Sequence, residues 1–265
     1  MAARPRILIL SATGSNRDRD VGAALELAGG TPEIVHVNQL IAGDRKLSDY
    51  QMLVLPGGFS YGDDLGAGKL LAVALRHQLG EAVERFVAAG RPVLGICNGF
   101  QALVKAGLLP GGRGTHPVAT LTRNERAQFE CRWVHLLPQP ASPCVFTKGL
   151  SELIHCPVAH GEGRFVARDA TALAAIEAGG LVALRYADDA RRPPGAGPAA
   201  GYPANPNGSM ADIAGICNAS GTVFGLMPHP ENHILPEQHP QFHRSVKGMT
   251  GLGLFRNGVA YASGL

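Results

Sequence analysis

The chain has 265 residues, 45% of them hydrophobic, which is enough for a sizeable core and fits one large domain over residues 1–265. Its 24 basic and 21 acidic residues are scattered and leave a net charge of only +3, so the sequence offers no basic stripe for nucleic acid. No apolar run approaches the roughly 20 residues of a membrane helix. Residues 1–5 lead directly into an apolar strand instead of a secretory signal, which predicts a cytoplasmic protein.

The first hundred residues alternate strand and helix signals. Short buried strands are predicted at residues 7–10, 33–37, Met52–Leu55 and Val93–Ile96. Between them, apolar residues recur at helical spacing through Val21, Leu25 and Leu27 and again over residues 70–89. Strands that alternate with helices form βαβ units, so the pattern predicts an α/β fold with a mostly parallel central sheet flanked by helices.

The second half of the chain has a different pattern of predicted elements. Shorter, more exposed strands are predicted at residues 131–137 and 163–167, and buried strand-like sequence at 181–185, near Ile213 and at Val223–Leu226. We expect the extra strands to be antiparallel additions to the sheet. Residues 191–207 are too rich in proline and glycine for an element interior. They predict a surface loop and not a domain linker, because strand-like sequence resumes after them.

Cysteine and histidine spacings argue against a metal centre. The chain has five cysteines, at positions 97, 131, 144, 156 and 217. Because this number is odd and no two cysteines sit two residues apart, neither a disulfide framework nor a zinc knuckle is predicted. His233, His239 and His243 lie close together, yet their spacings suit no standard ligand set. We therefore expect no bound metal.

One cysteine lies between a buried strand and a helix. Cys97 follows Val93–Ile96 and precedes a helix predicted to begin at Asn98 and to be ended by Gly107. Gly95 and Gly99 relieve the crowding of such a tight turn. The free N–H groups at the start of the helix favour a thiolate. The pattern predicts a nucleophile, and a buried core cysteine at the end of a strand remains the alternative.

A second chemical signal follows the apolar strand Val223–Leu226. There His229 and Glu231 stand two residues apart, flanked by Pro228 and Pro230. Residues i and i+2 of an extended segment point the same way, so the carboxylate can reach the imidazole. The prolines restrict the backbone and fix that geometry. His229 is thus the predicted base for a thiolate nucleophile and Glu231 its orienting group; a solvated loop histidine is the alternative.

The third signal is the glycine pair Gly57-Gly58, which follows the strand Met52–Leu55. A glycine pair at the carboxyl end of a parallel strand can aim backbone N–H groups into the crevice there. Acyl transfer through a thioester needs such donors for the developing oxyanion. A plain turn is the alternative. A phosphate loop is a weaker one, because no Gly-Lys-Ser/Thr sequence follows.

These three signals belong to motifs that resemble those of class I glutamine amidotransferases: Gly95-Ile96-Cys97-Asn98-Gly99-Phe100-Gln101, Pro56-Gly57-Gly58-Phe59-Ser60-Tyr61-Gly62-Asp63 and Met227-Pro228-His229-Pro230-Glu231. Within that class the sequence is similar to the family of glutaminase subunits of phosphoribosylformylglycinamidine synthase. Further motifs that match this family lie at residues 14–16, 123–124, 129–132, 158–165, 204–209 and 213–218. The resemblance therefore runs from about residue 6 into the C-terminal region.

The resemblance implies a flavodoxin-like α/β fold and a role for each motif residue. Cys97 would be the nucleophile, His229 the proton shuttle and Glu231 its orienter. The backbone N–H groups of Asn98 and of either Gly58 or Phe59 would form the oxyanion hole. Bound L-glutamine is expected to contact Gln101 and backbone groups between Asn124 and Phe129.

The resemblance also implies partners. Ammonia would pass to a large synthetase subunit, which converts formylglycinamide ribotide to formylglycinamidine ribotide with ATP and Mg²⁺. A small bridging subunit is expected as well, and no cofactor in this chain. The run His160-Gly161-Glu162-Gly163 is expected near the contact between glutaminase and synthetase.

Two features depart from the family pattern. Arg126 stands where a small hydroxyl residue is expected. The chain is also longer than the compact bacterial subunits of the family, and we assign the extra length to residues 191–207 and the C-terminal region. The first puts part of the glutamine pocket or its rim in doubt. Three other functions stay open at this point: another class I amidotransferase subunit, a free-standing γ-glutamyl hydrolase and a non-catalytic regulatory subunit.

Overall fold

The computed structural model of the protein describes residues 4–111, 117–188, 200–244 and 248–265. Within these residues a nine-stranded sheet takes strands from nearly the whole length of the chain. Its strands are β1 (Arg6–Ser11), β2 (Thr31–His36), β3 (Met52–Leu55), β4 (Val93–Ile96), β6 (Glu130–Pro138), β7 (Ile154–His160), β9 (Val182–Ala187), β10 (Ile213–Cys217) and β11 (Val223–Leu226). A second sheet pairs β5 (Ala119–Thr122) with β8 (Arg164–Ala167).

The helices of the described residues connect and cover these strands. They are α1 (Asp18–Leu27), α2 (Val37–Ala42), α3 (Lys69–Val73), α4 (Gly80–Ala88), α5 (Asn98–Lys105), α6 (Ala170–Ala178) and α7 (Leu252–Ala262). The helical stretch predicted over residues 70–89 is not one regular helix. A π-helical turn over Ala74–Gln78 follows α3, and the backbone leaves helical geometry at Leu79 (φ −112°, ψ 4°) before α4 begins. None of these helices is long and apolar enough to cross a membrane.

The strand order of the large sheet is β2-β1-β3-β4-β11-β10-β9-β6-β7. The first four pairings, from β2 to β11, are parallel, and the remaining four are antiparallel. Strands β3, β4 and β11 are buried along their whole length, as expected for strands covered on both faces by other elements. The prediction of an α/β fold with added antiparallel strands is confirmed; a single domain over residues 1–265 stays a prediction.

This order brings the three sequence signals together. Strands β3, β4 and β11 are parallel neighbours, so their carboxyl ends lie at one edge of the sheet. Gly57 and Gly58 follow the first of these strands, Cys97 the second, and His229 with Glu231 the third. Ligands of open α/β sheets bind at this edge. The strand order alone therefore places these residues at the edge of the sheet where a ligand is expected.

Several elements escape the sequence patterns. Strand β7 carries polar residues and Pro157 in its alternation, and the pattern of α7 is interrupted by Gly253 and Gly258. A Cβ at Gly258 would lie 2.5 Å from Cε1 of Phe146, so this glycine lets α7 approach the core closely. Strand β5, helix α2 and helix α6 were also not predicted.

The predicted surface loop at 191–207 needs a correction. Residues 191–199 lie outside the described residues, and the end of the segment is not exposed. Asn205 and Asn207 are buried. Asn205 Nδ2 donates to Asp212 Oδ1 (2.8 Å), and Asn207 Nδ2 donates to the backbone oxygen of Gly163 (2.8 Å). This end of the segment supports the backbone near the site, because buried amides require such partners.

Candidate active site

Cys97 occupies a strained turn between β4 and α5. Its backbone has φ 50° and ψ −105°, a conformation that side chains other than glycine rarely adopt. The turn is held on both sides: Cys97 N–H donates to Leu226 O (2.8 Å), and Cys97 O accepts from Gln101 N–H (3.0 Å). The residue is only 5% exposed. Strain of this kind is retained where the surrounding structure enforces it, which is typical of nucleophile turns.

The glycines around Cys97 are required by packing. A Cβ at Gly95 would lie 2.5 Å from Leu103 Cδ1, and one at Gly99 would lie 2.0 Å from the backbone oxygen of Leu55. The start of α5 thus packs directly on the end of β3. The expectation that these glycines relieve crowding is confirmed, and the crowding comes from β3 and α5 themselves.

We expect Gly99→Ala to lower the free energy of unfolding by about 3 kcal/mol, because the added methyl group must displace a strand backbone. The matched control is Gly22→Ala in α1, where the nearest neighbour of the new Cβ is Ile9 Cδ1 at 3.7 Å. The free energy of unfolding of that variant should rise by about 0.5–1 kcal/mol, because alanine has a higher helix propensity than glycine. Urea unfolding of both variants checks the difference, and equal stabilities would refute the packing argument.

His229 and Glu231 form a buried pair directly after β11. His229 Nδ1 and Glu231 Oε1 are 2.7 Å apart, and the two residues are 3% and 1% exposed. Burial alone lowers the pKa of His229, but the negative charges of Glu231 and Cys97 outweigh it and raise that pKa to about 10. The imidazole also packs against Gly57, where a Cβ would lie 2.7 Å from His229 Cε1. The pairing predicted from the i, i+2 spacing is confirmed.

The raised pKa of His229 predicts a pH dependence of stability. A histidine has a usual pKa of 6.5, so the contribution of His229 is fully present below pH 6.5 and is lost as the pH rises through about 10. In Glu231→Gln the burial remains while the carboxylate charge is removed, so the pKa of His229 should fall. Urea titrations at pH 6.5, 8 and 9.5 should show wild-type stability decreasing relative to that variant. A constant difference would contradict the pairing.

Two backbone N–H groups are available to bind an oxyanion. Among the described residues, neither Asn98 N–H nor Gly58 N–H has a protein acceptor. Phe59 N–H, the alternative to Gly58, donates to Gly14 O (3.0 Å) and is therefore already engaged. Gly58 adopts φ +139°, and a Cβ there would lie 2.8 Å from Asn16 N, so only glycine fits. The geometry favours Asn98 and Gly58 as the donor pair.

The side chain of Asn98 organises the loop after β3. It is 2% exposed, and its Oδ1 accepts from Ser60 N–H (3.2 Å) and Ser60 Oγ (2.5 Å). Its Nδ2 donates to Asp63 Oδ1 (2.8 Å). The side chain of Asn98 thus ties the start of α5 to the loop after β3. This contact fixes the two candidate oxyanion donors, Asn98 N–H and Gly58 N–H, relative to each other.

Gln101 and Asn124 are both buried and bound to the backbone that follows β7. Gln101 Nε2 donates to Glu162 O (2.7 Å). Asn124 Nδ2 donates to Gln128 O and His160 O (2.8 Å each), while its Oδ1 accepts from Gly163 N–H (2.9 Å). Both amides therefore position the backbone of residues 160–163. Direct contact of Gln101 with glutamine stays a prediction.

His160, at the end of β7, belongs to the same site, although its motif indicates only a subunit contact. Its Nδ1 lies 3.2 Å from Asn124 Oδ1, which can only accept, so Nδ1 carries the proton. Burial and the positive charge of His229 lower the pKa of His160 to about 3. Its Nε2 is a buried acceptor without a partner in the described structure. Because β7 escapes the sequence patterns, the local signal for His160 is only the glycine that follows it.

The remaining predicted residue, Phe129, is 54% exposed, with Arg126 close by in the chain and also exposed. The guanidinium carbon of Arg126 lies 4.2 Å from the centre of the Tyr202 ring, and that of Arg132 lies 4.6 Å from it. Tyr202 belongs to the proline- and glycine-rich segment. The two departures from the family pattern therefore contact each other at the surface.

His233 and His239 lie in a cluster of aromatic rings. They gather with His155 around Trp133, with ring centroids 5.0–5.5 Å from the indole. Burial is the main cause that lowers the pKa of each of these three histidines, so they are neutral near pH 7. Across the described ranges, no group of three or more histidine, cysteine, aspartate or glutamate residues is arranged to hold a metal ion.

Comparison with known proteins places this geometry in context. The family model of the CobB/CobQ-like glutamine amidotransferase domain matches residues 4–262. The chain is 49% identical to the phosphoribosylformylglycinamidine synthase subunit PurQ of Treponema denticola, over 97% of this chain and 99% of that protein. It is 43% identical to the protein of the same name from Dehalococcoides mccartyi, over 98% of each.

Two solved structures are also similar to this chain. A chain in the structure of PurLQS from Thermotoga maritima is 34% identical and superposes with a TM-score of 0.71, covering 98% of this chain and 99% of that one. A glutamine amidotransferase from Thermotoga maritima is 17% identical with a TM-score of 0.50, covering 92% and 82%. The second similarity concerns the fold alone.

Proposed function

The chain belongs to the glutamine amidotransferase family, in the group of phosphoribosylformylglycinamidine synthase subunits, and we propose that it releases ammonia from L-glutamine through a thioester on Cys97. The observation that carries this proposal is the convergence of Cys97, the buried His229–Glu231 pair and two unengaged N–H groups at one edge of the sheet. These are the parts that acyl transfer requires.

The reaction follows from this arrangement. The Cys97 sulfur attacks the side-chain carbonyl carbon of glutamine, and the N–H groups of Asn98 and Gly58 stabilise the oxyanion that forms. His229 gives its proton to the departing nitrogen, so the C–N bond breaks and ammonia leaves. His229, now neutral, takes a proton from water, whose oxygen attacks the thioester. Glutamate leaves, and the thiolate–imidazolium pair is restored.

Glu231 supports both half-reactions. Its carboxylate holds His229 through Nδ1 and stabilises the imidazolium form, and a hydrogen bond between the side chains of His229 and Cys97 also raises the pKa of His229. Burial strengthens this interaction because little water competes with it. The raised pKa of His229 keeps a proton available near pH 7 for the departing nitrogen.

The destination of the ammonia is a further part of the proposal. We assign it to a large synthetase subunit that uses ATP and Mg²⁺ to convert formylglycinamide ribotide to formylglycinamidine ribotide, with a small bridging subunit in the complex. Support comes from the similarity to a chain of PurLQS and to relatives named as subunits of this synthase. We propose no cofactor in this chain, and a cytoplasmic location stays a prediction.

Reconstitution tests the proposal. Glutamate release is measured for the chain alone and after addition of the synthetase and small subunits encoded by the same genome, with ATP, Mg²⁺ and formylglycinamide ribotide. We expect low activity alone and a large increase in the complex, coupled to product formation. Full glutaminase activity without partners would instead indicate a free-standing hydrolase, and no activity in either case would indicate a regulatory subunit.

A further inference from the structure

A cleft of about 420 Å³ opens beside the loop that follows β3. One wall comes from Leu65 and from the first part of the helical segment, including Lys69, Val73 and Arg76; the other comes from Lys105 at the end of α5 and Ala119 in β5. We call this cleft the α3–β5 groove. Nothing in the proposed chemistry uses it.

The groove is basic. Lys69, Arg76, His77 and Lys105 line it, and no aspartate or glutamate does. Across the described parts of the chain, the side chains of Lys69 and Arg76 have no ion pair or hydrogen bond. Unneutralised cations beside low-dielectric walls favour an anionic partner, because field lines concentrate in such clefts.

Two apolar side chains of the groove, Leu65 and Val73, are exposed. Leu65 is 75% exposed and Val73 is 47% exposed. Leu65 additionally adopts φ +63°, which is strained for a leucine. An exposed large apolar side chain next to uncompensated charges is typical of a surface that binds an amphipathic segment.

A second cleft, of about 410 Å³, shows what distinguishes the groove. It is lined by Arg45, Lys46, Arg85 and Arg91 among others, and its three arginines are engaged, which leaves one unpaired cation among the described residues there against two in the α3–β5 groove. Arg45 pairs with Glu33, Arg85 pairs with Glu81, and Arg91 donates to the backbone oxygens of Ser48 and Tyr50. Charge complementarity therefore favours the α3–β5 groove as the binding surface.

The groove is connected to the candidate active site by hydrogen bonds. Lys105 Nζ donates to Ala67 O, and Ala67 N–H donates to Glu162 Oε2 (3.3 Å). The backbone oxygen of Glu162 in turn accepts from Gln101 Nε2, one helical turn from Cys97. A segment that displaces Lys105 would therefore act on the backbone that Gln101 holds.

We propose that the α3–β5 groove docks an acidic, amphipathic segment of the synthetase partner and conveys its presence to the Cys97 site through Ala67 and Glu162. This inference rests on the proposed function. The acidic side chains of the segment would meet Lys69 and Arg76, and its apolar side chains would cover Leu65 and Val73. Opposite charge at such a surface accelerates association and selects the partner.

Charge reversal tests the groove. The variant Lys69→Glu/Arg76→Glu should bind the synthetase complex about tenfold more weakly at low salt and lose most of the salt dependence of binding. The matched control is Lys46→Glu/Arg256→Glu, which changes the same charge at two exposed cations outside the groove. It should change the affinity less than about twofold. Glutamate release without partners should be the same for both variants.

Leu65→Asn tests the apolar part independently. Asparagine has a similar size and tolerates positive φ, so the fold should be kept while the apolar contact is removed. We expect about fivefold weaker binding to the synthetase complex and a smaller stimulation of glutamate release. Melting temperatures of all variants verify that they are folded.

The outcomes separate the groove from the proposed function. If the wild-type chain is stimulated by the synthetase and Lys69→Glu/Arg76→Glu is stimulated with the same affinity, the groove inference is wrong and the proposed function stands. If the wild-type chain is not stimulated at all, the proposed function fails first. If the wild type is a dimer and the charge-reversal variant is a monomer in size-exclusion chromatography, a second copy occupies the groove and the inference is overturned.

Discussion

Replacement of Cys97 by alanine is expected to abolish glutamine-dependent synthesis and to leave ammonia-dependent synthesis unchanged. The thioester needs a sulfur at the turn between β4 and α5, and no other cysteine occupies that turn. Loss of a catalytic nucleophile lowers turnover by several orders of magnitude, on the order of 10⁴-fold or more. The measurement is product formation by the reconstituted complex with glutamine or with ammonium chloride as the nitrogen source.

The matched control for this experiment is Cys131→Ala. Cys131 is exposed on β6 and takes no part in the proposed chemistry, so its replacement should leave both activities intact. Retention of glutamine use in Cys97→Ala would refute every catalytic role for this thiol. Loss of ammonia-dependent synthesis as well would instead assign Cys97 a structural part in the complex.

The second large effect is expected for Glu231→Gln. The carboxylate is buried and accepts from His229 Nδ1, so it fixes the ring and stabilises its charged form. The amide of glutamine can donate to Nδ1 and so favours the wrong tautomer. In a comparable buried carboxylate–histidine pair, the same kind of change lowers kcat about 10⁴-fold. We expect a loss of about 10²–10⁴-fold in kcat for glutamate release, with a smaller change in KM.

Glu237→Gln is the control, because Glu237 is an exposed carboxylate in the same part of the chain. It should retain wild-type kinetics. The imidazole of His229 should be neutral near pH 7 in Glu231→Gln, which NMR of the ring nitrogens can detect. If Glu231→Gln kept nearly full activity and His229 were still charged near pH 7, a group other than Glu231 would stabilise the imidazolium. The role proposed for Glu231 would then be wrong.

The candidate site was predictable to the extent that its parts follow strands. Cys97, Gly58 and His229 each come directly after an apolar run that the sequence pattern identifies. Parallel strands bring their carboxyl ends to one edge, so the three signals converge because β3, β4 and β11 are parallel neighbours. The i, i+2 relation of His229 and Glu231 was likewise a local property, and the distance of 2.7 Å agrees with it.

Other parts of the site were not predictable, because they depend on residues distant in the chain. Asn124 binds the backbone of His160 and Gly163, and Gln101 binds that of Glu162, across strands that have no sequence signal of their own. The choice of Gly58 over Phe59 as a donor depends on Gly14, whose carbonyl oxygen already occupies Phe59 N–H. No pattern around Phe59 contains that information.

The sequence alone predicts the candidate site residues and the elements that present them, because hydrophobic period, turn residues and the i, i+2 spacing are local properties of the chain. The electrostatic state and surroundings of these residues depend on the assembled fold. His229 is charged near neutral pH because Glu231 and Cys97 lie beside it in a buried site, and His160 is neutral because it is buried next to that charge. Burial and neighbouring charge are sums over the whole fold, and they exist only once the strands have assembled.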